Sequence, residues 1–201
     1  IFMSTGMASS EEIEHAVRVV RETTDAELLL FHCISSYPTV TKDSNLNNLI
    51  WLKNKFDVLV GLSDHTTNNI AALTAIGMGA VAIEKHFKLD DKDCGPDSSF
   101  SLNIKQLKKL VNECNQAWIA KGASGLNRAN SEQQNMVFRR SLYFVKNLKQ
   151  GHVITESDIR RIRPGYGILP KYFDDVVGKV LKTDVQNGDR VSFDSLNGWR
   201  C

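Results

Sequence analysis

The sequence predicts an α/β fold in which a parallel sheet is followed by a small β-rich module. Over roughly the first 120 residues, short apolar runs alternate with helical patterns. Strands that alternate with helices in this way favour a parallel sheet with the helices packed outside it. A second module begins near Phe138, where a repeated turn pattern indicates β structure.

Each element of the first module has its own signal. The first helix opens at the capping-box pattern Ser9-Ser10-Glu11-Glu12, and the last helix has Asn103 as its N-cap and Gly122 at its end. The predicted strands cover residues 1–4, 27–34, 58–63 and 81–87. The predicted helices run from the capping box to about residue 22, and then over residues 46–56, 68–78 and 104–121.

Four such βα units do not close a barrel, because a (β/α)₈ barrel takes about 250 residues. Either the sheet is open, or the N-terminal half of a barrel lies outside this sequence, and a start inside a strand without an initiator Met favours the second. The predicted domains are residues 1–122, a polar linker over 123–137, and the β-rich module over 138–201.

Residues 151–159 and 188–196 of the second module echo each other. Each segment has a turn glycine, a β-branched residue three positions on, a hydroxyl residue next and an aliphatic residue four later. This pattern predicts a small pseudo-symmetric domain of two related turns, with chance similarity as the alternative.

Composition excludes several classes of protein. The chain has 201 residues and a formal charge of +2, which argues against nucleic-acid binding, and the local cluster of Arg160, Arg161 and Arg163 is typical of a solvated surface. No apolar run reaches the roughly 18 residues of a membrane span, and no signal peptide is recognisable. Four cysteines without CxxC spacing favour free thiols and a cytoplasmic location.

Two histidines follow apolar runs at neighbouring strand ends. His65 comes after the third predicted strand and His86 lies at the end of the fourth, and parallel strands bring such ends to one edge of a sheet. The pair is suited to a divalent metal, for which imidazoles alone would favour zinc or iron, or else each is a satisfied interior histidine. Glu84 would support the site or form a buried ion pair with a lysine of another strand.

Other polar residues fall at the same edge. Ser4 and Ser63 suit a phosphate group, although hydroxyls at these positions also cap helices. Tyr37 is suited to contact a ligand or to pack a loop. Asp97 is suited to bind a substrate hydroxyl, or it belongs to a Gly-Pro-Asp turn. The thiol of Cys33 does not pair with adjacent His32, because neighbouring strand residues point to opposite faces.

Seven segments carry a resemblance to a known family. They are, in chain order, Ser4-Thr5-Gly6-Met7-Ala8, His32-Cys33 with Tyr37-Pro38, Ser63-Asp64-His65-Thr66, Glu84-Lys85-His86-Phe87, Gly95-Pro96-Asp97, Arg139-Arg140-Ser141-Leu142 and Arg163-Pro164-Gly165-Tyr166-Gly167-Ile168. Together they resemble the sialic acid synthase family, which condenses phosphoenolpyruvate with an amino sugar. The segment Asp97-Ser98-Ser99-Phe100-Ser101-Leu102 is most similar to the pseudaminic acid synthases within it.

The resemblance implies the C-terminal half of a (β/α)₈ TIM barrel followed by a small β-rich SAF (antifreeze-like) domain. It starts at about the fifth barrel strand. The family's catalytic glutamate and several phosphoenolpyruvate contacts therefore fall outside this sequence, and we expect the chain alone to lack half of the active site.

By position, the resemblance makes His65 and His86 ligands of Mn²⁺ or Mg²⁺ in place of zinc or iron. It makes Ser4, Tyr37 and Ser63 contacts to phosphoenolpyruvate. The candidate catalytic residues are Asp97, which would also bind the open-chain sugar, and Glu84. Arg163 would reach the site of the partner subunit and contact an acetamido group, which implies a domain-swapped homodimer.

Two alternatives stay open. The first is an N-acetylneuraminate or legionaminate synthase, with the same chemistry on a different sugar. The second is a non-catalytic fragment whose SAF module binds carbohydrate or a partner chain.

Overall fold

The chain divides into two compact units, Ile1–Ser124 and Gly125–Cys201. The structure is a computed structural model, and it describes residues 1–90, 92 and 94–199. Cys201, one of the four cysteines expected to be free, lies outside the described residues. Cys33, Cys94 and Cys114 are free thiols.

A four-stranded parallel sheet forms the first unit, in the order β1-β2-β3-β4. Its strands are β1 (Phe2–Ser4), β2 (Leu29–Cys33), β3 (Leu59–Asp64) and β4 (Ala82–Lys85). Its helices are α1 (Ser10–Thr23), α2 (Asn47–Phe56), α3 (Ile70–Gly77) and α4 (Ile104–Lys121). The predicted βα order is confirmed.

Helices cover one face of this sheet. Leu30, Val60 and Leu62 point into a core that Leu49 and Leu52 of α2 complete, together with α1 and α3. These side chains are almost fully buried. Burying each one contributes about 2 kcal/mol of hydrophobic stabilisation.

The opposite face carries Phe31 and the row Cys33, Ser63 and Glu84, which lie at one level because Cys33 is in register with Ser63 and Ser63 with Glu84. Strand side chains alternate between faces, so this row points away from the helices. A Cβ added at Gly61 would lie 2.6 Å from the Phe31 ring, so only glycine lets that ring lie across β3.

Both predicted caps are present. Ser9 and Glu12 form a reciprocal capping box at the start of α1, and Asn103 and Gln106 form one at the start of α4. Each box satisfies backbone N–H groups that the first helical turn leaves without partners.

The fourth strand is shorter than predicted, which matters for the position of His86. After Lys85 the chain leaves the ladder with β3, and Phe87 instead forms an isolated bridge with Leu102. The Leu102 N–H donates to the His86 carbonyl oxygen at 2.9 Å. His86 therefore lies beyond the strand, held by the returning loop.

The second unit contains an antiparallel pair, β5 (Ser141–Phe144) and β6 (Ile159–Ile162). Two four-residue helices, α5 (Asn130–Gln133) and α6 (Phe173–Val176), accompany it, and α5 falls in the predicted linker. The fully buried Leu142, Phe144, Leu181 and Leu196 belong to its core.

The sequence echo corresponds to two similar turns. Gly151 and Gly188 have positive φ values of 84° and 94°. Each is followed by a capped 3₁₀ turn, Glu156–Asp158 or Phe193–Ser195. The two predicted related turns are therefore present, and the pseudo-symmetry of the unit stays a prediction.

Across the part of the chain that the structure describes, no helix has the length and apolar character needed to span a membrane.

Candidate active site

The two histidine-bearing strand ends meet in space. The ring centroids of His65 and His86 are 5.2 Å apart, and both rings contact Tyr37, at 4.3 Å and 5.8 Å respectively. Tyr37 comes from the loop after β2, so three neighbouring βα connections supply one aromatic cluster. This edge is where parallel α/β enzymes place their chemistry.

The long loop after β4 adds a carboxylate and a fourth ring. Asp97 Oδ2 lies 3.4 Å from His86 Nδ1, and the Phe100 ring lies 5.0 Å from the His86 ring. Phe100 is nearly buried and also contacts Tyr37. The loop holds this shape because the Phe100 and Ser101 N–H groups donate to the Asp97 carbonyl oxygen.

A backbone carbonyl sets the tautomer of His65. His65 Nδ1 lies 2.8 Å from the Ile34 carbonyl oxygen, which can only accept, so Nδ1 carries the proton. In the neutral ring, Nε2 is then left with its lone pair, 3.4 Å from the Ser63 hydroxyl. The ring is thus oriented with an unprotonated nitrogen available to a ligand.

Small residues line the edge at β1. Ser4 Oγ lies 3.2 Å from Cys33 Sγ and accepts a hydrogen bond from the Gly6 N–H at 3.4 Å. A Cβ at Gly6 would lie 2.6 Å from Cys33 Sγ and 2.7 Å from Ser35 Oγ, so the turn requires glycine. A cavity of about 400 Å³ beside Ser4 and Gly6 is lined also by Glu12, Ile13 and Ala16 of α1, so it lies between β1 and that helix.

His32 lies outside this cluster, as strand alternation predicts. Its Nε2–H donates to the Ser44 carbonyl oxygen at 2.8 Å on the helix side of the sheet. Burial lowers the pKa of His32, so the ring is neutral at pH 7. Cys33 faces the other side, next to Ser4, so the two residues do not form a nucleophile–base pair.

Glu84 is exposed on the helix-free face of β4, in register with Ser63. The role of Glu84 stays a prediction. The buried pair at this edge is formed by Asp64 and Lys85, which the sequence analysis passed over.

Arg163 belongs to the second unit, where it is exposed in the turn after β6. Ser141 braces this turn, because its hydroxyl donates to the Pro164 carbonyl oxygen at 2.8 Å and accepts from the Gly167 N–H at 2.9 Å. A Cβ at Gly167 would lie 2.5 Å from the Leu142 carbonyl oxygen. Ser141 thus explains part of the Arg139-Arg140-Ser141-Leu142 segment.

The donor chemistry of the cluster fits a divalent cation. His65 and His86 offer two imidazole nitrogens, and the His65 tautomer leaves Nε2 unprotonated, next to the Ser63 hydroxyl. Within the described residues, no group of three or more His, Cys, Asp or Glu side chains could hold an ion. An ion held by His65 and His86 would keep positions open for water or substrate oxygens, as catalytic ions do.

Phe100 is a member of the cluster that the sequence patterns did not predict. It was included only as one letter of a motif, and nothing in a Ser-Ser-Phe-Ser run indicates that the loop folds back onto His86. The bridge between Phe87 and Leu102 places Phe100 next to His86, and local periodicity in the sequence does not predict such a bridge.

Comparison with known proteins divides the chain into the same two parts as the structure. Residues 1–125 match the NeuB family, and residues 139–197 match the SAF domain. A pseudaminic acid synthase of Campylobacter jejuni (serotype O:23/36, strain 81-176) is 38% identical over 187 residues, which are 93% of this chain and 54% of that protein. An N,N'-diacetyllegionaminic acid synthase of Campylobacter jejuni (serotype O:2) is 36% identical, over 95% of this chain and 58% of its own.

Solved structures agree on the fold. The crystal structure of an N-acetylneuraminic acid (sialic acid) synthetase from Leptospira borgpetersenii, in complex with citrate, has a TM-score of 0.62 at 36% identity and covers 67% of this chain and 47% of that one. A putative spore coat polysaccharide biosynthesis protein E from Chromobacterium violaceum has a TM-score of 0.73 over 98% of this chain and 60% of its own, at 22% identity, and supports the fold alone.

The chain spans about half the length of the curated relatives it matches. Its fold is the C-terminal half of a (β/α)₈ barrel followed by an antifreeze-like SAF domain. With a NeuB match over more than half of its residues, the chain belongs to the NeuB family.

Proposed function

We propose that the chain is part of a synthase that condenses phosphoenolpyruvate with an acetamido sugar to form pseudaminic acid, a nine-carbon nonulosonic acid, with release of phosphate. The observation that carries the proposal is the convergence of Tyr37, His65, His86 and Asp97 at the carboxyl edge of the sheet. The pseudaminic acid synthases among the relatives support the choice of product.

Each residue of the edge has a role in this reaction. The Ser4 and Ser63 hydroxyls and the Gly6 N–H offer hydrogen bonds to the phosphate and carboxylate oxygens of phosphoenolpyruvate, against which Tyr37 packs. Asp97 accepts hydrogen bonds from the open-chain sugar beside His86. His65 and His86 hold Mn²⁺ or Mg²⁺, which when bound supplies Lewis-acid polarisation of the sugar aldehyde.

The bond changes follow from these positions. Carbon 3 of phosphoenolpyruvate attacks the aldehyde carbon, water adds at carbon 2, and phosphate leaves by C–O cleavage from the tetrahedral intermediate. Asp97 and Glu84 are the carboxylates available to hold or move the protons of the sugar hydroxyl and of the added water. Orientation of the two substrates at one edge accounts for much of the rate enhancement.

The SAF unit completes the site in this proposal. Arg163, held by the Ser141-braced turn, contacts the acetamido group of the sugar bound to the partner subunit, so that the active assembly is a homodimer with exchanged SAF units. Closure by these units excludes water and strengthens the electrostatic contacts inside the site.

Phosphate release by the complete polypeptide tests the proposal. One reaction contains Mn²⁺, phosphoenolpyruvate and 2,4-diacetamido-2,4,6-trideoxy-altrose, a second contains N-acetylmannosamine in place of that sugar, and a third contains no sugar. We expect sugar-dependent release with the first sugar only.

Each other outcome has a definite meaning. Release with N-acetylmannosamine would replace pseudaminic acid by a sialic acid as the product, in line with the Leptospira borgpetersenii relative. No release with either sugar, from protein that is folded and binds Mn²⁺, would overturn pseudaminic acid synthesis and favour a SAF unit that only binds carbohydrate or a partner chain.

A further inference from the structure

Asp64 and Lys85 are the residues that precede the two histidines, and their side chains form a buried ion pair. Lys85 Nζ lies 2.6 Å from Asp64 Oδ2, and the two side chains keep only 3% and 1% of their exposure. By strand alternation they share the helix-covered face with Leu62 and Ile83, opposite Ser63 and Glu84. The pair therefore faces away from the substrate side of the sheet.

The pair binds the backbone of the segment that follows β3. Lys85 Nζ donates to the Thr66 carbonyl oxygen at 2.5 Å and to the Asn68 carbonyl oxygen at 3.3 Å. Asp64 Oδ1 accepts a hydrogen bond from the Thr66 N–H at 2.8 Å. One ammonium and one carboxylate thus fix the chain between β3 and α3.

His65 lies inside this fixed segment. Its own carbonyl oxygen accepts from the Thr39 N–H at 2.9 Å, and its ring donates to the Ile34 carbonyl oxygen. The ring is consequently held from the side by the loop after β2, while its backbone is held by Lys85 and Asp64. Both sets of contacts therefore act on the segment that carries Nε2.

A buried ion pair is a poor way to gain stability alone. Taking both charges out of water is costly, and apolar residues of similar volume often replace such a pair without loss of stability. A role in stability and a role in positioning therefore predict different results when both charges are removed together.

We propose that the Asp64–Lys85 pair positions His65 for metal binding, which makes Lys85 a positioning residue that contacts no substrate. The inference rests on the proposed function, since it takes His65 to be a metal ligand. Loss of a residue that contacts a metal ligand, and not the metal itself, typically weakens metal binding by about 10- to 100-fold.

The test is Mn²⁺ affinity, measured in the complete polypeptide from the electron paramagnetic resonance signal of free Mn²⁺. The variant is Lys85→Met combined with Asp64→Leu, and its fold is followed by thermal unfolding. The matched control is Lys55→Met combined with Glu14→Leu, which removes an ion pair of 3.2 Å between α2 and α1, on the outer side of the sheet. His65→Ala is measured beside them.

We expect the Lys85/Asp64 variant to fold with a lowered unfolding temperature, because the buried Thr66 N–H and carbonyl groups lose their partners. We expect it to bind Mn²⁺ about 10- to 100-fold more weakly. The control keeps the wild-type affinity. An affinity within twofold of the wild type would overturn the inference. Unchanged Mn²⁺ binding in His65→Ala would instead overturn the metal role of His65 in the proposed function.

A second variant decides the case if the double variant does not fold. Asp64→Asn combined with Lys85→Met leaves no unpaired buried charge and keeps the oxygen that accepts from Thr66, so we expect a smaller loss of Mn²⁺ affinity in a folded protein. Wild-type affinity in this second variant would contradict the proposed positioning role.

Discussion

At the residue scale, the chemistry of His65 depends on a partner that is not a side chain. The Ile34 carbonyl oxygen accepts a hydrogen bond from His65 Nδ1–H at 2.8 Å, which leaves Nε2 as the nitrogen that can coordinate. His86 has a different partner, the Asp97 carboxylate at 3.4 Å. The two imidazoles are thus oriented by unlike groups, one fixed in the backbone and one carried by a loop.

Loss of either ring should remove metal-dependent turnover. We expect His65→Ala and His86→Ala each to lower the rate of phosphate release by more than about 100-fold, because losing a ligand costs more than losing a residue behind it. Thermal unfolding should stay cooperative in both. His15→Ala, on the exposed surface of α1, is the control and should keep the wild-type rate. A wild-type rate in either site variant would remove the metal assignment.

At the element scale, the second unit uses one turn design twice with different chemistry. Thr155 and Ser192 begin the two 3₁₀ turns, and Asp158 and Ser195 close the reciprocal capping contacts. Asp158 also accepts from Lys146 at 2.8 Å and from His152 at 2.9 Å. The first turn is therefore held by a buried charge, and the second by a hydroxyl.

This difference predicts unequal losses of stability. Burial raises the pKa of Asp158, but hydrogen bonds from Lys146, Thr155 and His152 outweigh it and hold that pKa well below its usual range. We expect Asp158→Asn to lower the unfolding free energy of the second unit by about 2 kcal/mol at pH 7, and Ser195→Ala by about 1 kcal/mol. Hydrogen exchange of the amides of β5 and β6 measures both values.

The contribution of Asp158 to the unfolding free energy of the second unit depends on pH. Because the folded pKa of Asp158 is below the unfolded value of about 4, its contribution is complete above pH 4 and is lost as the pH falls through the folded pKa. The difference between wild type and Asp158→Asn should therefore shrink below pH 4. A difference that stays constant down to pH 2 would show that the charge of Asp158 does not stabilise the unit.

Sequence patterns predicted elements well where the cause is local. The capping boxes of α1 and α4 and the turn glycines of the second unit involve residues three or four positions apart. The position of Phe100 and the Asp64–Lys85 pair depend on contacts between segments distant in sequence, and alternation indicates only which face a side chain takes. The convergence of His65 and His86 was predictable because parallel strands place their carboxyl ends together.

At the scale of the whole molecule, the proposed active site would combine residues of two units of different kinds. The NeuB unit would supply His65, His86 and Asp97, and the SAF unit would supply Arg163, which lies on a turn that Ser141 braces. Arg163→Ala should therefore mainly raise the KM for the sugar, since the chemistry at the metal is unchanged. If Arg163 acts in the site of the partner subunit, a subunit that lacks His65 and a subunit that lacks Arg163 should together form one complete site.

Mixed dimers test this exchange directly. His65→Ala and Arg163→Ala polypeptides are mixed under conditions that allow subunits to exchange, and phosphate release is measured at sugar concentrations below the wild-type KM. In a mixed dimer the Arg163→Ala subunit keeps His65 and receives Arg163 from its partner, so one site of two is complete. Random pairing should then restore about a quarter of the wild-type activity per site.

The control is a mixture of His65→Ala with His86→Ala, in which both defects lie in the same unit and no site regains its ligands. Activity that stays at the sum of the separate variants would mean that Arg163 acts within its own subunit or not at all.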